Sequence, residues 1–282
     1  GKGLPDTQGD GYWIDYSVLL KCDARPAPPP KGSEGVDWAK DAGEGKRVVI
    51  SRRDLVISVT NSGDFVDSWL RQHVIDAGLD AVGLAVEWNA RTPRGERHRI
   101  SLIQVSTRTH ALLVQMSQLR PPKAPELLRQ VLSDPVIRKV GGGSVLYDSV
   151  KLEKDWGLEV LGRINVCELA ELLGYAGGAE PVSSNSKQGD VSAVAKSVLA
   201  LDFKKPQQVV KSDWERDTLT EGQISVAAVE PWIARESLKY LESLTGVAYL
   251  GDEDPPAVAL AQGRALARRK GKAGAWGDEG SE

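Results

Sequence analysis

Much is scarce in this chain. Its 282 residues include 2 Cys, 3 His, 1 Met and 2 Phe. Two cysteines, Cys22 and Cys167, cannot build a disulfide scaffold or a four-cysteine zinc site. The three histidines, His73, His98 and His110, show no metal-ligand spacing such as HExxH. No apolar run approaches the length that crosses a bilayer as a helix. Charge of one sign is also lacking, with 36 Lys and Arg against 39 Asp and Glu for a formal net charge of −3. A globally basic nucleic-acid binder is therefore not expected, although a local basic patch is compatible with that sum. Gly141-Gly142-Gly143 has no Gly-Lys-Ser/Thr after it and does not fit GxGxxG, so it is neither kind of phosphate loop. The chain opens on Gly1 rather than Met, which fits a removed leader or a start within a longer protein.

What is present is the composition of a folded domain, 41% hydrophobic and 27% charged. Residues 1–46 read as an extended arm, because Ala27-Pro28-Pro29-Pro30 favours polyproline II and a Gly-rich charged stretch follows. Residues 247–282 read as a tail. Within it a basic helix would carry Arg264, Arg268, Arg269 and Lys270, either as a solvated face or as a contact with RNA or an acidic partner. The domain is 47–246. Strands are expected at 54–60, 81–87, 100–105, 111–115 and 136–140. Helices are expected after Asn61 or Ser62 and at 125–132, 145–156, 167–173, 191–199 and 221–244. Three early strands, then alternation with helices, then mostly helices imply an α/β layered domain with a mixed sheet.

Three carboxylates stand where sites are often built. Glu87 ends a buried strand, Asp148 opens a helix after a Gly-rich strand end, and Glu230 lies in a long helix. Converging, they could offer oxygen ligands to Mg²⁺. Taken singly, Glu87 also reads as a strand-end surface residue, Asp148 as an N-terminal helix charge and Glu230 as a solvated helix face. Cys167 has no neighbouring base signature and reads as a buried structural thiol.

The motifs together resemble one family. Ala85-Val86-Glu87-Trp88 matches an Asp-x-Glu-aromatic strand end, and Leu102-Ile103-Gln104 matches an Ile/Leu-Gln strand. Lys139-Val140-Gly141 leads to Asp148 and then Lys151-Leu152. Val166-Cys167-Glu168-Leu169 follows. Ser212-Asp213-Trp214, Leu219-Thr220, Gln223 and Ala227-Ala228 close the series, preceded by Lys204-Lys205. Over about residues 54–246 the chain resembles the 3′–5′ exonuclease domains of the DEDD superfamily, in the branch of RNase D and the Werner-type exonucleases. The resemblance implies a ribonuclease-H-like fold, a mixed sheet flanked by helices. It also implies a site in which four carboxylates hold two divalent metals that activate water and stabilise the leaving oxygen.

The departures fall on the chemistry. Ala85 stands at the first-motif Asp and Val226 at the third-motif Tyr. Glu230 replaces the last Asp, and Pro231, which removes a backbone hydrogen bond, follows it. Only Glu87 and Asp148 match the pattern. Losing a shared ligand and a water-positioning group is expected to lower the rate by roughly 10³ to 10⁶. The expectation is a degenerate exonuclease-fold protein without a cofactor, serving as a structural or RNA-contacting subunit. Its setting would be a large ribonucleoprotein such as a mitochondrial ribosome, with RNA and neighbouring proteins as partners. Arg91, Arg94, Arg97, His98 and Arg99 form a basic loop suited to such a contact, or to solubility. The competing expectation is an active exonuclease using Mg²⁺ or Mn²⁺, with Asp155, Glu168 or Glu171 replacing the missing ligand. A protein-interaction scaffold that binds no nucleic acid is the third.

Overall fold

Strand alternation explains the architecture. In the strand Ala81–Glu87, Val82, Leu84 and Val86 turn to one side and join a core with Val66, Trp69, Leu70, Leu128, Val131 and Leu152. Ala81, Gly83, Ala85 and Glu87 turn to the other. Three of these four are Ala or Gly, and a long helix presses against them.

The computed structural model describes residues 13–20, 53–89, 98–175 and 190–249, with side chains from Leu55 onward. Its seven strands, β1 (Trp13–Leu20), β2 (Arg53–Thr60), β3 (Ala81–Glu87), β4 (Leu102–Ser106), β5 (His110–Gln115), β6 (Arg138–Gly141) and β7 (Arg163–Asn165), form one sheet in the order β1-β2-β5-β4-β3-β6-β7. The pairs β1–β2, β4–β5 and β3–β4 are antiparallel, while β2–β5, β3–β6 and β6–β7 are parallel. The mixed α/β sheet expected from the element order is therefore present.

Two of its strands go beyond the sequence expectation. Segment 13–20, within the extended arm, is extended but paired as the edge strand on β2. Three-residue β7 is too short to show a period of two. The remainder of the arm and the tail from residue 250 lie outside the described residues.

The helices are α1 (Gly63–Leu70), α2 (Glu126–Ser133), α3 (Val145–Trp156), α4 (Val166–Leu172), α5 (Val191–Val198), α6 (Gln207–Val210) and α7 (Glu221–Thr245). Their starts follow local chemistry. Ser62 caps α1 by accepting from the Phe65 N–H. Asn165 caps α4 and Asp190 caps α5 in the same way. Thr220 and Gln223 form a capping box at the head of α7. The Leu-Thr-x-x-Gln run of the family resemblance thus has a structural duty here, because Gln223 also donates to Ser212 Oγ and the Asp213 carbonyl. Lys139, fully buried, donates to the carbonyls of Val131 and Asp134 and so finishes α2 from the neighbouring strand.

α7 crosses β3, β4, β5 and β6 on the side opposite α1 and α2. It runs as one helix through Pro231. The helix sits so close to β3 that a Cβ on Gly83 would lie 1.9 Å from the Pro231 carbonyl oxygen. Gly83 is therefore required by close approach of two backbones.

Candidate functional site

Two periodicities meet where α7 faces the end of β3. Ala85 and Glu87 share a sheet face because they are two apart, and Val226 and Glu230 share a helix face because they are four apart. α3, entering after the Gly-rich end of β6, adds Asp148 in its first turns. Glu87 and Asp148 are both buried, 8% and 6% exposed, so Glu87 is not a surface residue, while Asp148 does lie in the first turn of α3. Glu230 also turns inward, toward the other two.

A cation meets them. Lys205, in the segment before α6, donates to Glu230 Oε2 at 2.6 Å, and its Nζ lies 2.8 Å from Glu87 Oε1. Glu87 Oε1 is buried and is paired with the Lys205 ammonium at this distance. Asp148 Oδ2 accepts from Ser144 Oγ at 2.7 Å. Burial pushes the Asp148 carboxyl up to about 7; the Ser144 bond opposes the shift, and the charges of Glu230 and Glu87 add to it. Burial likewise raises Glu87, with Lys205 working against it and Glu230 with it. For Lys205 burial works against the charge, but the carboxylates of Glu230 and Glu87 outweigh it and hold the ammonium above its ordinary range. Three carboxyls thus gather around one ammonium, and Glu87 and Asp148 are the two held above their ordinary range.

The two-metal arrangement implied by the resemblance does not fit this donor set. Ala85 has no oxygen, the Val226 side chain has no polar atom, and an ammonium stands between Glu87 and Glu230. Among the described residues no group of three or more His, Cys, Asp or Glu is placed to hold a metal. Glu168 and Glu171 are exposed on α4, and no described bond joins them to Glu87 or Asp148. Asp155 accepts from Lys151 and from the Ile100 N–H at the far end of α3. Directly across the β3–β4 pair from Ala85 stands Gln104, fully buried, its amide oxygen and nitrogen both without a hydrogen-bond partner in the structure.

Other expected residues lie elsewhere. Arg99 stacks on the Trp156 ring, its guanidinium carbon 3.9 Å from the ring centroid, and donates to the Asp155 carbonyl. His98 is bonded to Glu215. These two members of the basic loop are thus tied to the domain itself. Arg91, Arg94, Arg97, Arg264, Arg268, Arg269 and Lys270 lie outside the described residues. Cys167 is buried, its thiol pushed up to about 12 by burial, which suits the structural role expected of it. Sequence reasoning missed Lys205 and Ser144. Lys204-Lys205 stands out in the sequence only as part of the family pattern, and nothing local shows which carboxylates it would reach.

A mixed sheet with buried carboxylates converging between its central strand, the helix after β6 and the long last helix is a ribonuclease-H-like nuclease scaffold. Comparisons with known proteins agree. No family model matches the chain. A protein of Acanthamoeba polyphaga mimivirus that carries the name of a 3′–5′ exonuclease is 27% identical over 199 residues, 68% of this chain and 47% of that protein. The human exonuclease mut-7 homolog is 29% identical over 168 residues, 55% of this chain and 19% of that protein. The chain thus spans less than half of either relative. The catalytic core of Rrp6 from Trypanosoma brucei superposes with a TM-score of 0.50 at 17% identity, over 67% of this chain and 48% of that one. The chain is thus similar to proteins named as 3′–5′ exonucleases and shares their ribonuclease-H-like fold.

Proposed function

We propose that this domain is a catalytically degenerate exonuclease fold, retained as a structural or RNA-contacting part of a ribonucleoprotein assembly such as a mitochondrial ribosome. The observation that carries the first half is the ion pairing of Lys205 with Glu87 and Glu230 beside Ala85. The site has lost an anionic ligand and holds a cation of its own. Gln104 supports the same history: a carboxylate at position 85 would lie within cross-strand reach of its amide, and alanine leaves that amide unanswered. The assembly reading rests on the two arms, one Pro- and Gly-rich and one basic, and on the Arg91 to Arg99 loop.

The relatives' names favour a second reading, an active 3′–5′ exonuclease dependent on Mg²⁺ or Mn²⁺. A degradation assay decides between them. The full chain is incubated with 3′-labelled single-stranded RNA and DNA, with Mg²⁺ or Mn²⁺, beside Glu87→Gln. No degradation above the variant's level is the expected result. Degradation abolished by Glu87→Gln would establish the active reading. Binding of the labelled RNA without cleavage would support the RNA-contacting role; no RNA binding would leave protein contacts as the basis of assembly.

A further inference from the structure

The sheet ends differently on its two sides. β7 closes one edge with three residues, beginning with the charged Arg163. β1 closes the other with eight, Trp13-Ile14-Asp15-Tyr16-Ser17-Val18-Leu19-Leu20, paired with β2 in one continuous register without a bulge. Edge strands are ordinarily guarded by shortness, Lys, Pro or a bulge, because their outer backbone N–H and C=O groups template the pairing of another strand. β7 has the first of these guards and β1 has none of them. The only charged residue in β1 is Asp15. β1 also lies outside residues 54–246, the stretch that carries the family resemblance, so this edge belongs to the chain's own arm rather than to the nuclease scaffold.

The order of residues along β1 selects the partner. Ile14, Tyr16 and Val18 stand in register with Val59, Ile57 and Leu55 of β2, all three buried. Trp13, Asp15, Ser17 and Leu19 belong to the opposite face of the strand. A two-fold axis perpendicular to the sheet would bring two β1 strands together antiparallel and keep each face on its own side. With the axis at Tyr16, Ile14 falls opposite the partner's Val18, Trp13 opposite the partner's Leu19 and Asp15 opposite the partner's Ser17. Apolar residues then meet apolar ones, polar residues meet polar ones, and the two Asp15 residues do not face each other. With the axis one residue further on, Asp15 would instead fall opposite the partner's Leu19. We propose that β1 is a self-association edge, through which two copies of this chain pair antiparallel about Tyr16 into one continuous sheet. A contact of one strand pair is small, so the association is a concentration-dependent equilibrium. The inference goes beyond the function proposed above and does not depend on whether the carboxylate site is active.

The test is sedimentation equilibrium of the full chain, from micromolar to submillimolar concentration, beside Ser17→Asp and Ser17→Lys. Ser17→Asp sets a second carboxylate opposite the partner's Asp15, twice across the axis, and the dimer should weaken about ten-fold; Ser17→Lys sets an ammonium there and should tighten it about three-fold. Both variants change one position, in register with half-buried Val56 rather than with the buried row of β2, so opposite effects on the dimer separate pairing from folding. A wild type that stays monomeric throughout overturns the proposal and leaves this edge to a segment of another protein. Weakening by both variants overturns the pairing about Tyr16, and a dimer indifferent to both places the contact away from β1 and overturns it as well. Should neither variant fold, amide hydrogen exchange of the wild type decides. In an antiparallel pair alternate residues direct their N–H groups to the same neighbour, so concentrating the chain should slow every second amide between residues 13 and 19. Exchange that does not change with concentration overturns the proposal.

Discussion

α7 carries a charge cluster toward each end, and the two are built differently. Near its C-terminal end Glu242 meets Arg138, which also reaches Asp80 at 2.5 Å and donates to the Tyr249 carbonyl. Lys239 joins Asp80 at 2.7 Å and Glu242 at 3.1 Å. Two cations there face two carboxylates. Twelve residues earlier, about 18 Å along the helix axis, Glu230 shares one ammonium with Glu87, and Asp148 stands close with only a hydroxyl for a partner. One cation there faces three carboxylates. The balanced cluster pins helix to sheet and needs nothing further. The unbalanced one keeps an excess of buried negative charge, at the cost of raised carboxyl pKa values. Structural ion pairs are selected to cancel, whereas an excess that persists in the interior is the mark of a present or former function.

The comparison breaks most visibly at Arg138. Arg138→Leu leaves Glu242 buried without its guanidinium partner, and a loss of about 3–5 kcal/mol is expected by urea denaturation. Gly83→Ala comes next, because it strikes the seat that both clusters share. The added methyl meets the Pro231 backbone rather than a mobile side chain, and about 3 kcal/mol of stability should be lost. A silent Gly83→Ala would show that α7 does not lie this close to β3.

Asp148→Asn should act in the opposite direction. The Asp148 carboxyl moves from an ordinary value of 3.8 to about 7 on folding. Between about pH 4 and pH 7 the folded chain therefore holds a proton that the unfolded chain has released. Stability falls as pH rises through that window and levels off above it. The Asn variant escapes that loss. It should match the wild type near pH 4 and be more stable at pH 8, by a gain on the order of 4 kcal/mol, read as the pH dependence of the denaturation midpoint. A difference that does not change with pH would remove the excess-charge picture of the site. The smallest effect belongs to Lys239→Ala. Its partner Asp80 is mostly exposed, and solvent screening should limit the cost to about 0.2–1 kcal/mol, well below that of Arg138→Leu in the same cluster.

Elements with a strong local signature are legible in the sequence. The strand at 53–60, the Ser62 cap, β3, β5, α2 and α3 fall within a residue or two of where periodicity and capping residues put them. β1 is not legible as a sheet member, since it meets β2 across residues 21–52 rather than across a tight turn, and nothing local announces the pairing. The carboxylates Glu87, Asp148 and Glu230 are recognisable as a group from the motifs around them. Their burial, and the inward turn of Glu230 despite Pro231, come only from the packing of α7 on β3. The capping box of Thr220 and Gln223 is readable as T-x-x-Q, a local signal that the family pattern overlies.

The sequence by itself determined the order and type of most elements, the departures at Ala85 and Val226, and the lack of a four-cysteine set or an HExxH spacing. Each of these depends on residue identity or on neighbours within a few positions, where sterics and periodicity act. Only the tertiary structure decided which charges cancel. Lys205 is separated from Glu87 by more than a hundred positions and from Glu230 by 25. Whether an ammonium reaches a carboxylate depends on how strand, helix and intervening segment pack, and Coulomb interactions in a buried site follow distance in space rather than distance along the chain.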